Sequence, residues 1–150
     1  MPMVAGNEAD ESGVWEITGP VAALPLYRKM RILADPRGEF DPSIAEDRLA
    51  SDSIRNSARR SEPPFLGLSS GAHWARITIK NNGQRTNFVL VNEFRRVQEL
   101  ELFSPDGRIY RTGMDIPIAD RSLPIDELAL PLEVGIGETK SILLRIRGES

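Results

Sequence analysis

The motif in this sequence that most resembles part of an enzyme active site is a serine flanked by glycines. Gly67-Leu68-Ser69-Ser70-Gly71 fits the G-x-S-x-G pattern, which places a nucleophilic serine on a tight turn between a strand and a helix. The residues that follow alternate like a strand, and the only histidine, His73, comes four residues after Ser69. A hydrolase of this type needs a longer α/β chain with its histidine far downstream, so the pattern favours a loop before a strand. The sequence predicts that the protein is not an enzyme.

Residues that bind metals are few and scattered. One histidine and no cysteine cannot form a multi-histidine or thiolate zinc site. His73 is therefore expected to be exposed or locally hydrogen-bonded. Two acidic groups could help to hold calcium: Asp35, Glu39 and Asp41, and Asp126 and Glu127. Neither group matches an EF-hand loop, so we expect no metal and no other cofactor.

Glu99 and Glu101 are the one pair of carboxylates with a spacing suited to acid–base catalysis. On one face of a strand they would lie about 7 Å apart, which is within the range of an inverting glycosidase. Nothing in the surrounding sequence marks a cleft. We therefore expect these two side chains to be a solvated strand surface.

Trp74 and Arg76 form the most ligand-like pair. They are two residues apart in an alternating segment, so they share one face of a strand. A flat indole beside a guanidinium suits stacking on a sugar ring and donation to its hydroxyls or carboxylates. The pair is equally compatible with a structural role, in which Trp74 packs in a core and Arg76 pairs with a nearby carboxylate. Both interpretations stay open from the sequence.

Short alternating segments predict the elements that must position these residues. The 11 prolines and 12 glycines favour short strands joined by turns. Strands are expected at 15–18, 28–33, 73–80, 86–91, 98–103, 108–112, 128–132 and 140–147. One helix of about two turns is expected at 43–50, after Asp41 as N-cap and Pro42, with Ile44 and Leu49 packing inward. Together these elements predict an all-β antiparallel sandwich with one short helix.

Three details of the strands can be compared directly with a structure. Segment 86–91 has apolar residues at both alternating sets of positions and is expected to be buried on both faces. A tight turn at 104–107, with proline second and glycine last, is expected to close a hairpin. Segments 128–132 and 140–147 are expected to form a closing hairpin through the turn 135–138.

The rest of the chain is less regular. Segment 51–71 follows no period and contains Pro63-Pro64, so it is expected to be an extended surface segment anchored by Phe65 and Leu66. Residues 1–20 are expected to be a flexible lead-in or a first edge strand, and residues 21–150 the sandwich domain.

Composition excludes several classes of function. The length of 150 residues suits one domain, and a net charge of −3 argues against a nucleic-acid partner. Arg59-Arg60 and Arg95-Arg96 are isolated pairs that fit a solvated surface. No apolar run approaches the ~20 residues needed to span a bilayer, and the start lacks the features of a signal peptide. The chain as given is therefore expected to be soluble.

An ordered set of short motifs runs through the chain. They are 32–40 with the short helix after it, Gly71 to Asn81, Leu100 to Phe103 before Pro105-Asp106-Gly107, Thr112-Gly113-Met114, Pro117, and Asp120-Arg121. In this order and spacing they resemble the 7TMR-DISM extracellular 2 family over roughly residues 21–148.

The resemblance implies a fold, a place and a function. The implied fold is a jelly-roll-like β-sandwich similar to carbohydrate-binding modules. The implied function is a non-catalytic periplasmic sensor of a carbohydrate or related small molecule, ahead of seven membrane helices and an intracellular histidine kinase, diguanylate cyclase or similar module. Trp74, Arg76 and Arg121 match the family's positions and, together with Asp120, are the candidate ligand-binding residues.

Two other functions fit the same features. The domain could be a carbohydrate-binding module of a secreted enzyme, in which case a glycosidase domain would be its neighbour. It could also be a dimerisation or protein-interaction module without a small ligand, for example through a homodimer.

Overall fold

The computed structural model describes residues 13–19, 24–26, 30–50, 71–92 and 97–148. They form the expected all-β sandwich with one short helix. The strands are β1 Val14–Ile17, β2 Arg31–Asp35, β3 Ala72–Asn81, β4 Asn87–Asn92, β5 Val97–Phe103, β6 Ile109–Thr112, β7 Leu128–Glu133 and β8 Thr139–Gly148. The helix is α1 Pro42–Leu49, and a 3₁₀ turn covers Ile118–Asp120.

The strands form one large and one small sheet. The large sheet has the order β1-β3-β8-β5-β6, and β2 pairs with β3 along the same edge as β1. The small sheet contains β4 and β7. All pairs are antiparallel except β1 with β3, which is parallel.

The core lies between the two sheets because each strand alternates apolar and polar residues. β3 directs Ala75, Ile77 and Ile79 inward, and all three are at most 3% exposed. Leu130 and Leu132 of β7 face them from the small sheet within the same apolar cluster. Trp15 of β1, within segment 1–20, is fully buried in that cluster as well.

The expected closing hairpin of 128–132 and 140–147 is wrong. β7 pairs with β4, whereas β8 pairs with β3 on one side and β5 on the other. The turn at 135–138 therefore carries the chain from one sheet to the other. Local alternation and a turn signal do not determine which strands pair, because that choice depends on how the two sheets pack.

The expected burial of 86–91 on both faces is also wrong. Leu90 is 7% exposed, but Val89 and Val91 on the opposite face are 57% and 56% exposed. β4 belongs to the two-stranded sheet, and the outer face of that sheet leaves Val89 and Val91 more than half exposed. A continuous apolar run is compatible with a strand that is buried on one side only.

The helix packs on the outer face of the large sheet and forms a second, smaller apolar cluster. Asp41 caps it by accepting a hydrogen bond from the backbone N–H of Ile44 (2.8 Å), as expected. Leu49 is buried as expected, but Ile44 is 39% exposed and Ala45 takes the inward position. Ala45 and Leu49 are four residues apart and share one helix face, whereas Ile44 lies beside that face.

The turn at 104–107 forms as predicted. The backbone N–H groups of Ser104 and Gly107 donate to the carbonyls of Arg108 and Ser104 at 2.9 and 3.0 Å. Gly107 has a φ of +91°, a conformation that glycine adopts without strain. The predicted anchors Phe65 and Leu66 and the Gly67–Ser70 motif lie outside the described residues.

Candidate functional site

The face of β3 that carries Trp74, Arg76 and Thr78 points away from the core of the sandwich. Pairing with β8 places Trp74 opposite Arg145, Arg76 opposite Leu143 and Thr78 opposite Ser141. Helix α1 covers part of this outer face. The sequence-predicted pair therefore lies under and beside the helix.

Trp74 is buried, with 1% of its surface exposed. Its Nε1–H donates to Asp35 Oδ2 at 3.0 Å, and its ring stacks on Phe103 with centroids 5.7 Å apart and planes at 30°. Ala45, Leu49, Leu33 and Leu143 complete the cluster around it. In this structure the indole has no free face for a sugar ring.

Asp35 holds the end of β2, the approach to α1 and Trp74 together. Its carboxylate accepts hydrogen bonds from the backbone N–H groups of Glu39 and Phe40 at 3.0 and 3.1 Å, as well as from Trp74. Burial alone would raise the pKa of Asp35, but these three donors and the positive charge of Arg145 outweigh burial and lower it. Asp35 is therefore engaged by three N–H donors.

Arg76 lies at the border of the helix-covered area. Its Nε is 4.0 Å from Glu46 Oε2 on α1, and its side chain is 33% exposed. Among the described residues, this Nε finds no hydrogen-bond acceptor. Arg76 therefore pairs loosely with a carboxylate of α1.

Asp120 and Arg121 lie elsewhere, in the connection between β6 and β7. The guanidinium of Arg121 donates to the backbone carbonyls of Ile116, Ile125 and Asp126 at 3.0, 2.9 and 3.2 Å, and so braces the loop. Asp120 is exposed. Two strands, β8 and β5, separate β3 from β6, a distance of about 14 Å across the sheet. The structure does not bring these two residues together with Trp74 and Arg76.

A ladder of ion pairs occupies the rest of the outer face, where a merely solvated surface was expected. Glu99 Oε1 accepts from Arg147 at 2.7 and 3.0 Å, and its Oε2 accepts from Arg111 at 3.1 Å. Glu101 Oε1 accepts from Arg145 at 3.1 Å. The signal in the sequence was the matching alternation of acidic residues on one strand and basic residues on another, but only the register pairs them.

These contacts lower the pKa of Glu99. Burial would raise the pKa of Glu99, but hydrogen bonds from Arg147 and Arg111 and their positive charges lower it. A catalytic acid would need the opposite shift. Glu99 is therefore held as a paired carboxylate.

His73 is buried rather than exposed, with 9% of its surface accessible. It lies on β3 between Ala34 of β2 and Ile146 of β8. Burial lowers its pKa, and the negative charge of Asp35 offsets only part of that effect. The described residues contain no group of three or more potential metal ligands.

A groove opens on the outer face between α1 and the β5–β6 hairpin, and we call it the α1–hairpin groove. Its volume is about 450 Å³. The residues that line it are Pro42, Ser43, Glu46, Phe103, Ser104, Pro105, Ser141 and Leu143. Arg76 does not line it, but its Nε lies 4.0 Å from Glu46, which does. Sequence reasoning missed this groove because its walls come from three distant segments.

A second opening, which we call the edge cleft, lies between β1 and β4 and measures about 710 Å³. Its polar wall is the turn after β3, with Asn82, Gln84 and Arg85. Asn81 fixes that turn, since its Nδ2 donates to the carbonyls of Arg85 and Val134 at 2.6 and 2.8 Å.

Comparison with known families agrees with the order of motifs in the sequence. The model of the 7TMR-DISM extracellular 2 family matches residues 27–150. The chain belongs to this family. The family is an extracellular sensor domain of receptors. No curated protein sequence matches the chain.

As a 7TMR-DISM extracellular 2 domain, the chain is an extracellular domain of a membrane receptor. In the residues that the structure describes, no helix has the length and apolar character needed to cross a membrane.

Proposed function

We propose that this domain is the periplasmic input domain of a bacterial membrane signalling receptor and that its ligand is a carbohydrate or a related small molecule. Family membership over residues 27–150 is the observation that carries the proposal. The receptor would continue into seven membrane helices and an intracellular histidine kinase, diguanylate cyclase or similar output module. No cofactor or catalytic step is part of this function.

The chemistry of the outer face supports a binding role. The carboxylates Glu99 and Glu101 are engaged by arginines, so they are held as acceptors and not as a proton-transfer pair. Arg76, by contrast, makes a longer ion pair, 4.0 Å from Glu46, and a third of its side chain is exposed. Of the four candidate residues, Arg76 is the one we propose to act near a ligand, whereas Trp74 and Arg121 would act by holding their surroundings in place.

The parent reading frame gives the first test of this proposal. We expect hydrophobic segments of membrane-spanning length and a signalling module after this domain. A neighbouring glycosidase domain and no membrane segment would favour a carbohydrate-binding module of a secreted enzyme instead.

The full receptor gives the second test. Its output should change when a saccharide is added outside the cell, because a ligand that prefers one state of the input domain shifts the population of that state. Output that is indifferent to every saccharide, but that changes with receptor concentration, would refute the small-ligand proposal.

One observation favours self-association as a second candidate. Val89 and Val91, together with the half-buried Pro131 opposite Val89, form an apolar strip on the outer face of the small sheet. Exposed apolar strips often mark protein contacts. A Val89→Glu/Val91→Glu double variant should abolish a dimer in sedimentation analysis, whereas Ile109→Glu, at an equally exposed site on β6, should not.

A further inference from the structure

We propose that the free edge of β4 is a docking surface for an extended peptide segment of a partner protein, which pairs antiparallel with β4 inside the edge cleft and places its C-terminal carboxylate near Arg85. Strand addition of this kind recognises a partner by its backbone as well as by its side chains. The inference concerns a protein partner and goes beyond the small ligand of the proposed function.

The hydrogen-bond pattern of the small sheet determines where β4 directs its backbone groups. The N–H of Val134 donates to the carbonyl of Thr86 at 2.9 Å, so these two residues are a hydrogen-bonded pair. Such pairs alternate along an antiparallel ladder, so the next residues of β4 that bond to β7 are Phe88 and Leu90. The residues between them direct their N–H and C=O groups away from β7; they are Asn87, Val89 and Val91.

The backbone groups on this side of β4 border an open space. Within the described ranges, β4 pairs only with β7, and no other backbone hydrogen bond reaches Asn87, Val89 or Val91. The consecutive residues 87–91 all line the edge cleft, as they do when the edge of a strand borders a space. Each of the three residues therefore offers one donor and one acceptor to a strand in the cleft.

The opposite edge of the small sheet is protected, and this contrast distinguishes β4. Pro131 on β7 lies opposite Val89 and has no N–H to offer. The carbonyl of Glu133 accepts a hydrogen bond from Lys140 Nζ at 2.7 Å. Proline and lysine both keep an edge strand from pairing with another strand. β4 contains no proline and no charged residue, so its edge lacks these protections.

The unequal widths of the two sheets favour a single extended segment over a second copy of the domain at this edge. The large sheet has five strands along its main path and the small sheet has two, with ~4.8 Å between neighbouring strands. Ile17 of β1 lines the edge cleft together with β4, so the large sheet extends past β4 on this side. The large sheet of a second copy would collide with it before the two β4 strands came within hydrogen-bonding distance. A single strand avoids this collision.

The inner wall of the cleft determines which side chains the segment needs. This wall is apolar and is formed by Ile17, Leu24, Leu26, Ile79 and Leu90. Side chains alternate along a strand, so every second residue of the segment faces this wall. Those residues must be apolar, because a polar group without a partner is costly there.

The charge at one end of the cleft determines the direction of the segment. Arg85 is exposed and is the one charged residue among the described residues that line the cleft. Within the described chain it forms no ion pair. The C-terminus of a segment that runs antiparallel to β4 lies beside Asn87 and therefore near Arg85, where a carboxylate meets the opposite charge.

The test is a titration of the 150-residue chain with synthetic pentapeptides, up to about 5 mM because a short segment makes few contacts. The peptides are acetyl-Thr-X-Thr-X-Thr with a free carboxylate, in which X is Val, Ile, Leu or Phe and faces the apolar wall. We expect them to bind and to slow amide hydrogen exchange at Asn87, Val89 and Val91 by about tenfold or more. The amides of Phe88 and Leu90 already bond to β7 and should change little.

Two variants with matched controls test the backbone and the charge. Val89→Pro removes an N–H from the free edge only, so the sheet should form as it does around Pro131, and peptide binding should weaken about fivefold. Val89→Thr keeps that N–H and should bind normally. Arg85→Gln should remove an about tenfold preference for the free carboxylate over the C-terminal amide. Arg37→Gln changes an exposed arginine outside the cleft and should keep that preference.

The exchange rates at Asn87, Val89 and Val91 decide the inference even if Val89→Pro does not fold. Binding that leaves these three amides unchanged, or no binding by any of the peptides, would refute the free edge as a docking surface. Equal affinity for the acid and the amide would contradict the contact with Arg85. Slower exchange of the same amides with rising protein concentration, and without peptide, would show that a second copy is the occupant and would overturn the argument from sheet width.

Discussion

Replacement of Asp35 by asparagine should destabilise the domain because three donors converge on this carboxylate. Oδ1 accepts from the N–H of Glu39, and Oδ2 accepts from the N–H of Phe40 and from Trp74 Nε1. A carboxylate offers acceptors only, whereas an amide has one acceptor oxygen and two N–H donors. In either orientation, the amide of the Asp35→Asn variant would therefore face at least one N–H group with its own NH₂.

The size of the effect follows from these contacts. A buried donor left without a partner costs about 1–3 kcal/mol, and the remaining bonds lose the extra strength that a charged acceptor gives. Asp35 is 1% exposed, so water cannot replace the missing partner. We expect Asp35→Asn to lower the free energy of unfolding by about 3 kcal/mol.

Urea denaturation followed by far-ultraviolet circular dichroism measures this change. Asp41→Asn is the matched control, because Asp41 is an exposed N-cap and asparagine caps helices equally well. A Trp74→Phe background adds a second check: without the indole N–H, Asp35→Asn should cost about 1 kcal/mol less. A loss below about 0.5 kcal/mol for Asp35→Asn would refute the argument that these three donors need a carboxylate.

Three further predictions address pH, charge and backbone conformation. The pKa of His73 is lowered by burial below its ordinary 6.5, so the unfolded chain binds the proton more readily. The free energy of unfolding should therefore fall as the pH drops below 6.5. In thermal unfolding curves, His73→Gln should make this fall with pH smaller. An unchanged dependence on pH would contradict the assignment of the effect to His73. Glu99→Gln should lower the free energy of unfolding by about 1 kcal/mol at low salt and by less in about 1 M salt, because salt screens its ion pairs. A loss that does not depend on salt would mean that charge contributes nothing to the stabilisation by its bonds to Arg147. Gly113 has a φ of +145°, and a Cβ there would collide with the backbone carbonyl of Gln98. Gly113→Ala should thus lower the free energy of unfolding by at least about 3 kcal/mol in chemical denaturation. Gly107→Ala should lower it by about 1 kcal/mol, because φ is +91° there but the space around a Cβ is open. Equal losses at the two positions would show that the collision with Gln98 adds nothing to the cost of the backbone conformation.

Much of the candidate site could not be predicted from the sequence. The sequence predicted that Trp74 and Arg76 share one face of a strand, but it did not predict whether that face is open or covered. Helix α1 covers Trp74 because Ala45 and Leu49 pack on it, a contact between segments about 30 residues apart in the chain.

By itself, the sequence determined the positions of the strands, the inward set of apolar residues on β3 and β8, the N-cap of the helix and the turn at 104–107. These features depend on the alternation of side chains along a strand and on the conformational preferences of a few residues, which are local properties. The family could also be predicted from the sequence, because its short motifs occur in order along the chain.

The tertiary structure alone decided the partners. β7 pairs with β4 and not with β8, Glu99 meets Arg147 across the register of β5 and β8, and the α1–hairpin groove joins residues from three segments. Pairing across a sheet depends on which arrangement buries the most apolar surface in both sheets at once. That balance belongs to the whole domain, so no single segment of the sequence contains it.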